Sequence, residues 1–547
     1  MLRCLNPSLR SSFRRLYCNN VGIKLLSTAS VARQMTKENL TAERRKAIIQ
    51  SEPYFESSCY PSIADARQQY PDATLLRISD FRNRFETTDF SNYEYNRTSE
   101  CYNIEGRISG IRKFGKAMFF FDLVQDNCKL QVLISNSLVV LEKSEFDRVH
   151  SWFKEGDYVS CHGFASRTKT GELTLKVNTP VRMLSPCLIQ LPDKLIDKGI
   201  INQNRVMNYL VNPKSANPII VKSQVIQAIR QFFINKGFLE MQTPILSSLG
   251  TGANAQPFLT KFKDDHVQLR VAPELWLKKM VIAGFEKIFE IGNNFRNEGI
   301  DQSHNPEFTS CEFYQSFTSL EELMNITEEL LKQIFHKFKV PLGGTEQTKV
   351  SLKSIKFPKY DFLPTLEEIT GKKINDLSLD SLLTLYKELG ITVPSNPNPI
   401  SLVNNLSETY LESLSVTKHY NVPVIIYNQP EILSPLAKSK TDGHNGIPVS
   451  LRFELFINGK EYVNAYEEEN NPKIQLAKFQ QQKANKQKYG DNEMLIPDWE
   501  YVKTMEMGLP PTGGWGIGID RLAMYVSGAE RIDEVLPFGN LRDVLKQ

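Results

Sequence analysis

The chain has 547 residues, 41% of them hydrophobic and 23% charged, with a formal net charge of +4; that length exceeds one ordinary core, so two or three globular domains are expected. No apolar run approaches the ~20 residues of a spanning helix, which excludes a membrane-embedded chain. The eight cysteines, at 4, 18, 59, 101, 128, 161, 187 and 311, include no CxxC, which argues against a zinc or disulfide framework and for free thiols in a reducing compartment.

The charge is unevenly placed. Residues 1–37 hold Arg3, Arg10, Arg14, Arg15, Lys24, Arg33 and Lys37 and no Asp or Glu, so the rest of the chain nets −3. An acid-free start rich in Arg, Ser and Leu predicts a mitochondrial transit peptide and a matrix location; the alternative is a basic arm that touches RNA. Residues 38–95 mix charge with scattered apolar positions and predict short helices packed on the next domain. From 96 to 190 the pattern turns to five β runs, YNIEGRISGIR, KAMFFFDLVQD, KLQVLIS, DYVSCHGFASR and GELTLKV, with a helical interruption. That order predicts an OB β-barrel, a fold used repeatedly for oligonucleotides. In it Arg112 and Lys113 precede Phe119, Phe120 and Phe121, and Gln131 follows on the next strand. Exposed rings stack on unpaired bases, Arg meets phosphate or base edges, and Gln reads a base edge. Alternation sends one or two of the three Phe into the barrel core.

Residues 191–217 read as a hinge and 218–547 as a second domain. In its first element, KSQVIQAIRQFFINKG at 222–237, Val225, Ile226, Ile229, Phe232 and Phe233 share one helical face and Gly237 is the stop. FLEMQTPIL follows as a strand that ends near Pro244. Between Phe295 and Tyr314 the chain reads FRNEGIDQSHNPEFTSCEFY. Arg296 and Glu298 are two apart and would share a strand face; Phe308, Glu312 and Tyr314 share parity on the next strand. Such a hairpin offers a guanidinium for anionic oxygen, a flat ring for a base, and a Glu–Tyr pair for a cationic or hydroxyl group. The bland alternative is a surface hairpin with solvated charges. Residues 340–440 are polar in stretches and say little about chemistry. At 511–521, PTGGWGIGIDR alternates glycines through an apolar strand and ends in an Asp-Arg that opens a helix. Gly514, Gly516 and Gly518 would leave one strand face bare, so that a ligand lies against backbone and Arg521 covers it.

The pair FRNE…HNPEFT and GIGIDR resembles motifs 2 and 3 of the class II aminoacyl-tRNA synthetases, and HNPEFTSCEFY with RVAPELWLKKM before it resembles the lysyl members of that class. The resemblance runs from about residue 40 to the C-terminus. It implies an α+β chain: a five-stranded OB anticodon-binding barrel, then a class II catalytic domain built on an antiparallel β-sheet flanked by helices. Motif 1, at about 222–246, would form a homodimer interface. Motif 2 falls at about 288–317, an insertion at about 340–440 with SPLAKSK returning to the ATP end, and motif 3 at about 511–526. The implied partners are ATP, L-lysine and tRNA(Lys), with no membrane. The implied reaction joins the lysine carboxylate to the α-phosphorus of ATP, expels pyrophosphate, and passes lysine to the 3′ end of the tRNA.

Site roles follow from the same resemblance. Arg296 is implied to bridge the α-phosphate and the lysine carboxylate, Glu298 to accept from the adenine amino group, Phe308 and Arg521 to stack on the two adenine faces, and His304 to approach the outer phosphates. Glu454 and Glu461 match positions that hold Mg2+. Gly252 and Glu274 are implied for the α-amino group, Glu468 with Tyr314 for the ε-ammonium, Glu312 between them and Asn464 in the same pocket, so that a carboxylate stands at each end of the substrate. Glu467 departs from the family, which has a small hydroxyl residue there, and this leaves a choice between 467 and 468. In the barrel Arg112, Phe119 or Phe120, and Gln131 are the implied readers of a uridine-rich anticodon. An RNA-binding relative without catalysis would lack Arg296, Glu298 or Arg521, and all are present. A ligase that attaches lysine to protein would lack the barrel, and an aspartyl or asparaginyl relative would need a cationic or amide-donating pocket instead of Glu274 and Glu468.

Overall fold

The computed structural model describes residues 43, 45–47, 49–50, 59–68, 70–115, 118–139, 141–247, 255–342, 355–441, 443–489 and 498–546. The basic leader and Gly252 lie outside the described residues. The chain divides into two compact units, up to Leu195 and from Ile196 onward.

In the first unit five strands pair in a ring: β1 (Arg97–Phe114), β2 (Met118–Gln125), β3 (Cys128–Ser135), β4 (Tyr158–Arg167) and β5 (Leu173–Val177). β1–β2, β2–β3 and β4–β5 are antiparallel, β3–β5 is parallel, and antiparallel β1–β4 pairing completes the ring. Period-2 alternation fills the interior: Phe119, Phe121, Leu123, Leu130, Val132 and Ile134 are buried while their neighbours face out. Helix α1 (Lys143–Ser151) is the interruption between β3 and β4, and it sends Phe146 and Val149 into the same core. The unit is the OB fold expected from the sequence, with the short strands Thr74–Leu76 and Arg182–Ser185 added at its borders. The segment FRNRF lies in a helix, Ile78–Phe85, whose Ile78, Phe81 and Phe85 are buried.

The second unit begins where the sequence reads as a hinge, but that segment folds. Lys198–Gln203 and Arg205–Val211 are short helices, held because Arg205 is buried against Asp533 at 3.1 Å and the Tyr209 hydroxyl donates to the Pro537 carbonyl at 2.6 Å. A buried guanidinium demands its carboxylate, so this stretch is tied to the chain's C-terminal end. Next comes helix α2 (Asn217–Asn235), whose Val225, Ile229, Phe232 and Phe233 are buried; Ile226 is only partly covered. Gly237, at φ +79°, ends it in a conformation that favours glycine.

The unit's frame is one eight-stranded sheet. In chain order its strands are β6 (Leu239–Glu240), β7 (Lys287–Phe295), β8 (Glu307–Ser316), β9 (Lys359–Asp361), β10 (Val424–Tyr427), β11 (Arg452–Ile457), β12 (Lys460–Glu467) and β13 (Thr512–Gly518). They lie side by side as β9-β10-β11-β12-β13-β8-β7-β6. All interior pairings are antiparallel; only the border pairs β9–β10 and β6–β7 run parallel. Phe289 and Phe313 on one sheet face meet Phe233 of α2 and the indole of Trp515 at ring separations of 5.0–5.8 Å. The strand expected over FLEMQTPIL is shorter: only Leu239 and Glu240 pair with the sheet, and Leu246–Ser247 joins a separate three-stranded sheet. Pro244 lies between them and has no N–H for a ladder.

The polar insertion is more ordered than its composition suggests. Helices Phe362–Thr370, Leu379–Leu389 and Pro399–Leu406 bury Phe362, Leu366, Leu382, Tyr386 and Leu402 in a core of their own, and the flanking β9 and β10 extend the main sheet. Among the described residues no helix is long and apolar enough to cross a membrane, and the six described cysteines are free.

Candidate active site

A cavity of about 460 Å³ opens between β7, β8, β11, β12 and β13 and is bounded on one side by the segment Leu433–Ala437. Its lining includes Glu274, Arg296, Glu298, His304, Phe308, Glu312, Tyr314, Glu454, Glu461, Asn464 and Arg521. Residues far apart in sequence thus converge on one space.

The motif 2 hairpin is built differently from the simple strand pattern on one side. β7 stops at Phe295, so Arg296 and Glu298 lie in the loop and share no strand face. Arg296 N donates to the Pro306 carbonyl at 2.8 Å and Asn297 N to the Gln256 carbonyl at 2.7 Å, which takes the backbone out of the ladder. On β8 the parity reading holds: Phe308, Glu312 and Tyr314 all face the cavity. The Arg296 guanidinium lies 5.1 Å from the Phe308 ring centre, and its Nε is buried with no partner. A buried, unpaired guanidinium N–H marks a place for an anionic oxygen.

Motif 3 supplies the opposite wall. β13 runs into helix α6 (Ile519–Ser527), which places Asp520 and Arg521 in the first turn. Asp520 accepts from Thr309 N at 2.8 Å and pairs with Lys222 of α2 at 2.5 Å, so it fixes β8 against α6. Arg521 donates to the Glu461 carbonyl at 2.8 Å and to His304 Nε2 at 2.6 Å. His304 Nδ1 then donates to Asp301 at 2.7 Å, since Nε2 is occupied as an acceptor. Burial alone would raise the Asp301 carboxyl, but hydrogen bonds from Ser303 and His304 outweigh it and bring it to about 2. The glycine face of β13 is not bare throughout. A Cβ on Gly514 would fall 2.0 Å from Glu468 Oε1 and 2.7 Å from Tyr314 Cε1, whereas a Cβ on Gly518 would meet nothing within 4 Å. The missing side chain at 514 admits protein groups; the one at 518 leaves open space for ligand.

Glu454 and Glu461 stand on adjacent strands. Glu454 pairs with Arg452 and accepts from Gln429 Nε2 at 2.7 Å. Burial first, and then the charge of Glu454, raises the Glu461 carboxyl. Among the described residues no group of three or more His, Cys, Asp or Glu side chains is arranged to hold a metal. Arg452 also donates to Asn464 Oδ1 at 2.9 Å and to the Leu433 carbonyl at 2.9 Å, tying the cavity-lining loop to β12.

The amino-acid end departs most from expectation. Glu274 and Glu468 share a partner that the sequence reading did not include: both bind one ammonium, Lys278 Nζ, at 2.8 and 2.7 Å. Lys278 is fully buried, and Glu468 is buried beneath the wall made by Tyr314 and Gly514, not part of the cavity lining. Burial works against the Lys278 charge, but Glu274 and Glu468 outweigh it and hold the ammonium protonated well above the ordinary lysine range. Tyr466 OH donates to Glu274 at 2.7 Å and Tyr314 OH to Glu312 at 3.1 Å. Burial, helped by the charge of Glu274, pushes the Glu312 carboxyl up to about 8. Of the neighbouring glutamates, Glu467 turns away and accepts from Leu320 N at 2.9 Å, at the start of helix α4 (Leu320–Phe338). Glu468 is therefore the one that joins the pocket cluster. Lys278 was missed in the sequence, although its i,i+4 spacing from Glu274 on helix α3 (Glu274–Ile282) was a usable signal.

On the barrel, Phe119 is buried against Phe146 and His150 and cannot stack on a base. Phe120 faces outward with the Arg112 guanidinium 6.0 Å from its ring, and β2 pairing puts Gln131 opposite Asp122 on the same outer face. Gln131 accepts from Thr174 at 3.0 Å and Arg112 pairs with Asp122 at 3.1 Å.

An antiparallel sheet carrying a motif 2 hairpin and a motif 3 strand-helix around one cavity, preceded in the chain by an OB barrel, defines a class II tRNA synthetase. Residues 197–542 match the family described as tRNA synthetases class II (D, K and N), and residues 102–179 match the OB-fold nucleic acid binding domain. The chain is 37% identical to the mitochondrial lysine–tRNA ligase of Saccharomyces cerevisiae over 95% of both chains, and 38% identical to that of Schizosaccharomyces pombe over 92% of this chain and 93% of the other. It is 36% identical to the lysine–tRNA ligase of Thermotoga maritima, over 80% of this chain and 86% of that one. The chain belongs to the lysine–tRNA ligase family of class II synthetases.

Proposed function

We propose that this chain activates L-lysine with ATP and charges tRNA(Lys) in the mitochondrial matrix, as a homodimer. The observation that carries the reading is the pairing, within one cavity, of the partnerless Arg296 Nε beside Phe308 with the carboxylates Glu274 and Glu312. A nucleotide needs the first and an amino acid with a second ammonium needs the other two.

Arg296 holds the α-phosphate and the lysine carboxylate together, so that a carboxylate oxygen attacks phosphorus and pyrophosphate leaves. The substrates supply nucleophile and leaving group, and the protein's contribution is alignment and charge neutralisation. Phe308 and Arg521 sandwich the adenine, Glu298 accepts from its amino group, and His304, held between Asp301 and Arg521, approaches the outer phosphates. Glu454 and Glu461 would hold Mg2+, whose two charges would relieve the repulsion between these carboxylates and offset phosphate charge. Glu274 faces the α-ammonium; Glu312 and Tyr314, backed by Glu468, face the ε-ammonium. Arg112, Phe120 and Gln131 form the face that reads the anticodon.

ATP–pyrophosphate exchange with each of the twenty amino acids tests this. Lysine alone should support rapid exchange, and neutral side chains should fall by roughly 10⁴ or more because they leave buried carboxylates unpaired. Ornithine, one methylene shorter, should lose about 10- to 200-fold. Exchange driven by aspartate or asparagine would refute the assignment.

A further inference from the structure

Lys278 has no part in the steps above, yet among the described residues it is the best-buried charge of the unit. Its ammonium is fully enclosed, bonded to Glu274 and Glu468 and 5.3 Å from the Tyr501 ring centre. Burying this ion triad costs hydration at all three charged groups, and replacing the whole triad by apolar side chains of similar volume would often cost no stability. Its presence therefore calls for a role beyond packing.

The charge count supplies one. Three glutamates crowd the amino-acid end, Glu274, Glu312 and Glu468, whereas an amino acid of the proposed kind brings two ammonium groups; its carboxylate is answered by Arg296. Three carboxylates against two ammoniums would leave one negative charge buried and unpaired. We propose that Lys278 is the positioning and specificity residue that sets this balance: its ammonium cancels one glutamate charge and holds Glu274 and Glu468 in place, so that the pocket presents two. The geometry leaves acceptors free for that purpose. Glu468 gives only Oε2 to Lys278 and its Oε1 is buried without a partner, beside the cavity-lining Tyr314 and Gly514. Glu274 gives Oε1 to both Lys278 and Tyr466 and keeps Oε2 for substrate. This inference rests on the lysine-activation reading.

The test is the lysine KM, measured by pyrophosphate exchange on the full chain between pH 6 and 9. The groups that face the cluster are Glu274 on α3, Glu312 and Tyr314 on β8, Tyr466 on β12, Glu468 after it, and Tyr501 on helix α5 (Trp499–Met505). Arg296 and Arg452 act on this set from its margins. In Lys278→Met and in Lys278→Gln the three glutamates lose their cation, so the cluster retains protons more tightly than the unaltered enzyme, in which Glu312 is already raised, and lysine must displace them. The lysine KM at pH 7 should rise about tenfold or more, and the pH above which it levels off should move up by about one unit, tenfold per unit being the ionised fraction lost. The ATP KM should stay put. Lys278→Arg, which keeps the charge and changes the shape, should retain the wild-type pH profile. Identical profiles for the Arg and neutral variants, or a wild-type profile in Met or Gln, would show that Lys278 only packs. If the unaltered chain shows no lysine-dependent exchange, the activity reading fails instead.

Discussion

Replacing Gly514 with alanine tests the arrangement at the amino-acid end with a single methyl group. The new Cβ would fall 2.0 Å from Glu468 Oε1 and 2.7 Å from Tyr314 Cε1, both far inside van der Waals contact. Neither neighbour can swing into water, because Glu468 is held by Lys278 at 2.7 Å and Tyr314 is buried. Outright loss of one partner from a buried ion pair costs about 3–5 kcal/mol, and overpacking alone about 1–3. A partial displacement of Glu468 lies between these, so lysine affinity should weaken by about 2–4 kcal/mol, roughly 30- to 1000-fold in KM. Arg296, Phe308 and Arg521 are not among the atoms the methyl group meets, so the ATP KM should stay near that of the parent enzyme. The measurement is lysine- and ATP-dependent pyrophosphate exchange, with circular dichroism to show that the fold is kept. Gly518→Ala is the contrast: its Cβ meets no atom within 4 Å, so stability and lysine KM should hold while ATP binding suffers from a methyl group in the cavity. A Gly514→Ala enzyme with a lysine KM within about threefold of the parent would refute the placement of Glu468.

Phe120→Ala should weaken tRNA recognition by about 1–3 kcal/mol and leave tRNA-independent exchange intact; Phe119→Ala, which empties a core position, should instead destabilise the barrel by about 3–5 kcal/mol in a denaturant titration. Since the free enzyme's Glu312 carboxyl is raised to about 8, it is protonated at pH 6 and must ionise to hold an ammonium. Lysine KM should therefore fall as pH rises from 6 to 8 and level off above, and Glu312→Gln should bind lysine weakly with that slope flattened; an unchanged slope would remove Glu312 from the site. Residues 1–37 fused to a fluorescent reporter should direct it to mitochondria, and their removal should leave exchange activity unaltered in vitro; a reporter that stays cytosolic would reject the targeting reading.

Local patterns carried much of this protein into view. Alternation in MFFFDLVQ and CKLQVLIS made the barrel legible, and the helix over 222–237 was legible from its apolar stripe and terminal glycine. Strand spacing also placed Phe308, Glu312 and Tyr314 on one face. It failed at Arg296 and Glu298, because the backbone there is captured by Pro306 and Gln256, contacts that no local period reports. The Phe119–Phe120 choice needed the actual strand register, since a shift of one residue exchanges inside and outside. Lys278 stayed hidden because its meaning depends on Glu468, 190 residues away in sequence. The bare glycine face was half right: what fills it at 514 is a side chain from another strand's end.

The two strands contributed by the insertion set a limit on how this enzyme could be shortened. β9 and β10 lie outside β11, the strand that carries Glu454, and hydrogen-bond along it through Val424–Tyr427. Delete the whole segment and β11 becomes a border with a row of unsatisfied N–H and C=O groups, a template for another chain. Soluble enzyme would then be lost to edge-to-edge association before any catalytic group was touched. The helices between β9 and β10 are a different matter: parallel neighbours need only a crossover of about a dozen residues. A compact variant is therefore reached by cutting within 362–423 and re-covering Ile426 and Phe456, which the insertion's core now shields, while leaving the sheet at its full width.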